Sequence, residues 1–151
     1  MKSIDVAFIT PNNSDRIYQS LSSSYAAIEP PTWSLLLAES CRSIGFKVEI
    51  IDMLAENLDD KNLLIRLKKS NPKLICFVVY GQNVNAGTTS MSGATRSSKF
   101  LKSSGIKTLV SFIGSHVQAL PVETMKKENS IDFVFMNEGV YSLRNLLKCK
   151  N

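Results

Sequence analysis

Cysteine is scarce in this sequence, and that scarcity removes several chemistries at once. The three cysteines among 151 residues, Cys41, Cys76 and Cys149, are far apart and odd in number, so they form neither a disulfide framework nor a zinc-ligand spacing, and no metal ligand is assigned. Cys41 and Cys76 fall inside apolar segments and are expected to be buried small hydrophobes. No apolar run approaches the roughly 18 residues that a bilayer span needs. The first residues place Asp5 inside a strand-like segment and lack a signal-peptide pattern, so the expected location is the cytoplasm. The net charge of +5 is modest. Its lysines are spread along the chain, with pairs at Lys68-Lys69 and Lys126-Lys127. They form no stripe with arginine and aromatic residues, so solvated helix surfaces account for them and no nucleic-acid partner is expected. Histidine occurs once, at His116. No Gly-x-Ser-x-Gly elbow accompanies it, and no catalytic residue is assigned.

What the sequence does contain is a regular alternation. Ile4 to Thr10 is a nearly continuous apolar run that reads as a strand ending at Pro11. A helix is predicted from Pro30-Pro31, where proline suits a first turn. Trp33, Leu36, Leu37, Cys41 and Ile44 form its apolar face, and Gly45 its C-cap. Lys47 to Asp52 is a second strand. Asp59 or Asp60 caps a second helix carrying Leu63, Leu64 and Leu67, which stops before Pro72. Leu74 to Tyr80 is apolar throughout, as a strand covered on both faces would be. Gly81 to Gly87 reads as a loop, followed by a helix of small residues from about Thr88 to Ser104. Lys107 to Ile113 is a fourth strand. Gly114 to Leu120 is a loop, Pro121 to Lys127 a short helix, and Ile131 to Met136 a fifth strand. Asn137 to Gly139 is a turn, and a last helix from Val140 to Lys148 turns Leu143, Leu146 and Leu147 inward.

Strands that alternate with helices and are themselves doubly buried imply an α/β three-layer sandwich. The expected fold is flavodoxin-like, or Rossmann-like, with five parallel strands in the order 2-1-3-4-5. A chain of 151 residues suits one domain, which at that size buries roughly 68–70% of its unfolded surface. Ligands of such folds sit beyond the carboxyl ends of the strands. That rim would gather Thr10-Pro11-Asn12, Asp52, Tyr80-Gly81-Gln82-Asn83, Gly114-Ser115-His116 and Asn137-Glu138-Gly139.

The common ligands of the fold can be tested against that rim. A dinucleotide site needs Gly-x-Gly-x-x-Gly after the first strand, where this chain has Thr10, Pro11, Asn12, Asn13 and Ser14. Flavin mononucleotide needs a hydroxyl- and glycine-rich phosphate loop at the same place, and Ser14 alone is a poor substitute. A phospho-acceptor domain needs carboxylates to hold magnesium at the ends of strands one and three, and those positions are Thr10 and Tyr80.

Four motifs point elsewhere. Glu29 to Ala38 (EPPTWSLLLA), Gly45 to Asp52 (GFKVEIID), Ile113 to Glu123 (IGSHVQALPVE) and Ile131 to Gly139 (IDFVFMNEG) occur in an order and at spacings that resemble the cobalamin-binding domain preceding the barrel of radical-SAM enzymes. The family's second glycine and proline before histidine stand here as Gly114 and Ser115, and its Gly-Glu-Gly-Glu turn as Asn137 to Val140. The resemblance implies a single cobalamin-binding domain over 1–151, as the N-terminal part of a longer radical-SAM protein or as a stand-alone carrier. The rim of strand ends, taken together with the resemblance, gives an expected site made by Pro11, Asn12, Tyr80, Gly81, Gln82, Asn83, Gly114, Ser115, His116, Val117, Glu138 and Gly139. With no histidine after the first strand, the resemblance also implies that the loop there does not ligate cobalt.

A corrin is a wide plate with an amide fringe. Gln82, Asn83, Asn85, Ser115, Gln118 and Asn137 could face it, while Gly81, Ala86, Gly87, Gly93, Ala94 and Gly114 would leave room for its nucleotide tail. A bulky β-branched residue at Gly114 would then abolish retention and leave the secondary structure intact. Radical-SAM chemistry needs a four-iron four-sulfur cluster on a Cys-x-x-x-Cys-x-x-Cys motif, which the three cysteines do not form. S-adenosylmethionine and the cluster would belong to a separate C-terminal domain, a radical-SAM barrel acting in cis or in trans as a methyltransferase. The competing expectation is a cofactor-free interaction or scaffold domain that keeps the same fold.

Overall fold

A computed structural model of the chain describes residues 3–12, 28–80 and 84–149, with the backbone alone described at 84–86. Five strands form one all-parallel sheet: β1 (Val6–Thr10), β2 (Val48–Asp52), β3 (Leu74–Val79), β4 (Leu109–Gly114) and β5 (Phe133–Phe135), in the spatial order β2-β1-β3-β4-β5. The helices among the described residues are α1 (Thr32–Arg42), α2 (Asp60–Ser70), α3 (Val84–Ser103), α4 (Ser115–Ala119), α5 (Pro121–Lys127) and α6 (Val140–Cys149). The expected order of strands is the one observed.

Strand alternation divides the core between the two faces of the sheet. Ala7, Ile9, Ile51, Ile75, Phe77, Val79 and Phe112 pack on one face with Leu63 and Leu67 of α2 and Met91, Ala94 and Leu101 of α3. Val6, Phe8, Leu74, Cys76, Val78 and Ile113 pack on the other with Leu37 and Cys41 of α1 and Leu143 and Leu147 of α6. Every residue of β3 is buried, which explains its unbroken apolar sequence. Cys41 and Cys76 are buried free thiols, and desolvation pushes them up to about 11 and about 12, respectively.

Several local expectations are corrected. In α1, Leu36 is 56% exposed, whereas Ser34 is 1% exposed and its hydroxyl lies 3.0 Å from that of Thr10. A polar contact to β1 thus sets the helix phase at its first turn. Helix α3 begins at Val84, earlier than Thr88, and takes up much of the expected loop. The segment after β4 is a five-residue helix, α4. β5 covers only Phe133–Phe135; just before it the Asp132 N–H donates to the Val110 carbonyl at 2.8 Å, and its carboxylate accepts the Val110 N–H at 2.6 Å and meets Lys102 Nζ at 2.6 Å. Leu146 of α6 is half-buried rather than inward. The caps follow expectation, with Asp59 Oδ1 accepting the Asn62 N–H at 2.7 Å and Gly45, at φ +93°, following α1.

The entry to β1 carries a titratable clamp. Burial alone would raise the Asp5 carboxyl, but the Lys73 ammonium and the Lys47 N–H, each at 2.8 Å, outweigh it and hold the group below its ordinary value. A lowered carboxyl stabilises the fold fully above its unfolded-state value of about 3.9, and that stabilisation is lost as pH falls through the lower folded-state value. Asp5→Asn should therefore be less stable than the wild type at neutral pH, with the difference closing in acid. Urea unfolding across pH measures this, and a difference that stays constant would assign the loss to packing instead.

Candidate functional site

All five strands end on one side of the sheet, at Thr10, Asp52, Val79, Gly114 and Phe135. A parallel sheet has this property by construction, and it brings the post-strand segments together whatever their separation in sequence. Pro11 is buried and Asn12 half-buried. The Asn12 carbonyl accepts a hydrogen bond from Arg96 Nη2 at 3.2 Å, while Arg96 Nε donates to Asp60 Oδ2 at 3.2 Å. The loop after β1 is thereby tied to both α2 and α3. Asp52 serves its own turn: its Oδ1 accepts the N–H groups of Leu54 and Ala55, both at 3.1 Å.

Beyond β3, the Tyr80 ring stacks on Trp33 with centroids 4.3 Å apart and planes 21° apart. Its hydroxyl donates to the Asn137 carbonyl at 3.2 Å. Burial, and then the charge of Glu138, push the phenol up, so it remains a neutral donor at ordinary pH. Tyr80 therefore joins α1, the end of β3 and the turn after β5. Gly81, Gln82 and Asn83 lie outside the described residues, as do the side chains of Asn85 and Ala86.

The tightest part of the rim lies between β3 and β4. Gly114 has φ +156° and ψ 173°, a conformation essentially reserved for glycine. A Cβ there would lie 2.5 Å from the Val79 carbonyl carbon and nearer still to its oxygen. The two strand ends thus run side by side with no room for a side chain at Gly114. The first turns of α3 approach as closely, since a Cβ at Gly87 would collide with Ser115 Oγ and come within 3.3 Å of the Val79 oxygen. His116 is half-buried, with Nδ1 3.5 Å from Thr88 Oγ1. A neutral hydroxyl neither orients nor charges an imidazole as a triad carboxylate would.

Val117 is fully buried among the core residues beneath α3. Its side chain anchors α4 to the core. Glu138 is exposed, and Gly139 is buried at φ +66° with no room for a Cβ beside Ile113 Cδ1 and Phe135 Cβ. Gln118 and Asn137 are exposed.

The structure therefore brings Asn12, Tyr80, Gly114, Ser115, His116 and the turn at Glu138-Gly139 onto one rim. Trp33, Ser34 and Arg96 belong to the same region but were not among the expected site residues. A signal for the first two was present, because the first turn of a helix that follows a strand by a crossover starts above the rim. Nothing in the sequence marked Arg96. Among the described residues, no group of histidine, cysteine, aspartate or glutamate could hold a metal ion, and no helix is long and apolar enough to cross a membrane.

The family model described as the B12 binding domain matches residues 19–147. The chain belongs to this family. Solved structures agree on the fold of this B12-binding domain. The radical S-adenosylmethionine methyltransferase TsrM from Kitasatospora setae, with cobalamin and a [4Fe-4S] cluster bound, is similar over 98% of this chain and 24% of its own, at 16% identity and a TM-score of 0.72. The same enzyme with tryptophan and aza-SAM bound gives 97% and 25%, at 16% identity and a TM-score of 0.71. The cobalamin-dependent radical enzyme OxsB, with aqua-cobalamin and S-adenosylmethionine bound, is similar over 99% of this chain and 19% of its own, at 17% identity and a TM-score of 0.68. The B12-binding domain thus spans about a quarter of the TsrM chain and a fifth of the OxsB chain. The search of curated proteins returned no match.

Proposed function

We propose that this B12-binding domain holds cobalamin on its rim and presents the corrin to a radical-SAM domain, in cis or in trans, for methyl transfer. The observation that carries the proposal is the family match over residues 19–147. The gathering of the segments after β1, β3, β4 and β5 on one rim supports it, because ligands of open parallel sheets lie beyond the carboxyl ends of the strands. Asn12, Ser115 and Asn137 belong to those segments and could hydrogen-bond an amide fringe, with Gly81, Gln82 and Asn83 completing the site in sequence.

Bound cobalamin would supply the methyl-carrying cobalt. This chain would bind the plate, orient it and limit the access of water to one face. His116, half-buried beside Thr88, is proposed as a hydrogen-bonding neighbour of the cofactor and not as a base. The cluster and S-adenosylmethionine would sit in a further domain, this chain being one domain of the longer assembly.

Hydroxocobalamin added to the purified chain and followed by desalting separates this reading from that of a cofactor-free scaffold. The protein fraction should retain corrin absorbance in a ratio approaching one per chain. A colourless protein fraction at tens of micromolar of both components, about the range in which Kd values near 1 μM saturate, would favour the scaffold.

A further inference from the structure

The outer edge of the sheet at β2 carries an ionic cluster that meets the rim only where Glu56 holds Asp52. The Lys47 carbonyl accepts the Val6 N–H at 3.3 Å, and the Met53 N–H donates to the Thr10 carbonyl at 3.0 Å. Odd-numbered residues of β2 therefore turn their peptide groups toward β1, and Val48, Ile50 and Asp52 turn theirs outward. Such an outward row is a template on which another strand can add.

Much of this row is already occupied. Arg66 crosses over from α2, its Nε donating to Glu49 Oε1 at 2.8 Å and its Nη1 pairing with Glu56 Oε2. Its Nη2 reaches the outward Ile50 carbonyl at 3.5 Å, a long contact in which the bulk and charge of the guanidinium count as much as the hydrogen bond. Glu56 fills the next place, its Oε1 accepting the Asp52 N–H at 3.2 Å and its own N–H donating to the Asp52 carbonyl at 2.9 Å. The outward Ile50 carbonyl thus faces a planar cation held between two carboxylates, a fork geometry that a lysine does not reproduce, and the outward groups of Asp52 face Glu56.

We propose that the Glu49–Arg66–Glu56 cluster is a gate on strand pairing, occupying the open edge of β2 so that a second copy of this chain cannot add its own β2 there. A second copy is the occupant that fits, because two identical β2 edges brought together about a two-fold axis run antiparallel and each supplies the groups the other needs. The valine and isoleucines of β2 favour such pairing. The proposal does not depend on cobalamin.

The test replaces the cluster and reads self-association. Arg66→Ala is combined with Glu49→Gln, so that removing the cation does not leave two carboxylates to repel the neighbour. Sedimentation velocity over about a hundredfold range of concentration reports the mass, and hydrogen exchange at the Val48 and Ile50 amides reports the edge. The wild type should sediment as a monomer throughout. The double variant should move toward the mass of a dimer as concentration rises, with both amides protected about tenfold or more as they enter hydrogen bonds.

A double variant that keeps its native far-UV spectrum and stays monomeric overturns the proposal. A dimer that leaves the two amides unprotected also overturns it, as does a wild type already paired through them. Should the double variant lose its native spectrum, Arg66→Gln read in the same way decides.

Discussion

Gly114→Val should lower the unfolding free energy by about 3–5 kcal/mol, measured by urea denaturation. Two costs act together. Valine would have to hold φ +156° and ψ 173°, a conformation that costs about 1–3 kcal/mol or more for a residue with a side chain. Its Cβ would also meet the carbonyl of Val79, and backbone in the middle of a sheet cannot turn aside as the end of a side chain can. The strands would part where β3 and β4 pair Val79 with Gly114. Against a typical total of about 5–15 kcal/mol, that is a large share. A β-branched residue at 114 would therefore strain the fold as well as any cofactor site, and retention by this variant has to be read beside its stability. A variant that unfolds at the wild-type urea concentration would mean that the strand ends are further apart than described.

Gly139→Ala should cost less, about 1–3 kcal/mol, for a reason that can be isolated. Here the backbone has φ +66°, and the added methyl would meet Ile113 Cδ1, the movable end of a side chain, together with Phe135 Cβ at 3.0 Å. Ile113→Val removes that Cδ1 atom. Combined with Gly139→Ala, it should recover part of the loss but leave the cost of the positive φ. The coupling between the two changes should be about 0.5 kcal/mol or more. Strictly additive losses in a double-mutant cycle would show that the two side chains do not meet.

The contrast between these glycines shows what the sequence could reveal. Each ends or follows a strand in a motif that resembles a cobalamin site, and sequence alone suggests the same role for both. The structure makes Gly114 a meeting point of two backbones and Gly139 a turn over the Ile113 side chain. The strands themselves were legible, because burial on both faces leaves β3 with no polar residue to break its run. The alternation implied an open parallel sheet, and the flavodoxin-like order expected for it is the one observed.

What was not legible depended on contacts between segments distant in sequence. The phase of α1 is set by Ser34 against Thr10, which hydrophobic periodicity reads as a polar residue facing outward. Helix α4 has five residues, too few for a 3.6-residue period to show, and Gly114 and Pro121 on either side read as the bounds of a loop. Val117 was read as part of the site because of its neighbours, although its side chain belongs to the core. Arg96, which ties the loop after β1 to α2 and α3, lies in a helix of small residues where nothing marks it.

Hydrogen exchange with and without hydroxocobalamin tests most directly whether the rim is the binding surface. Protection should increase in peptides covering residues 10–12, 80–83, 114–118 and 137–139, which come from separate elements and share only the carboxyl side of the sheet. Peptides from the middle of α2 and from α5 should be unchanged. Protection appearing on those helices while the four rim segments exchange as before would contradict the account.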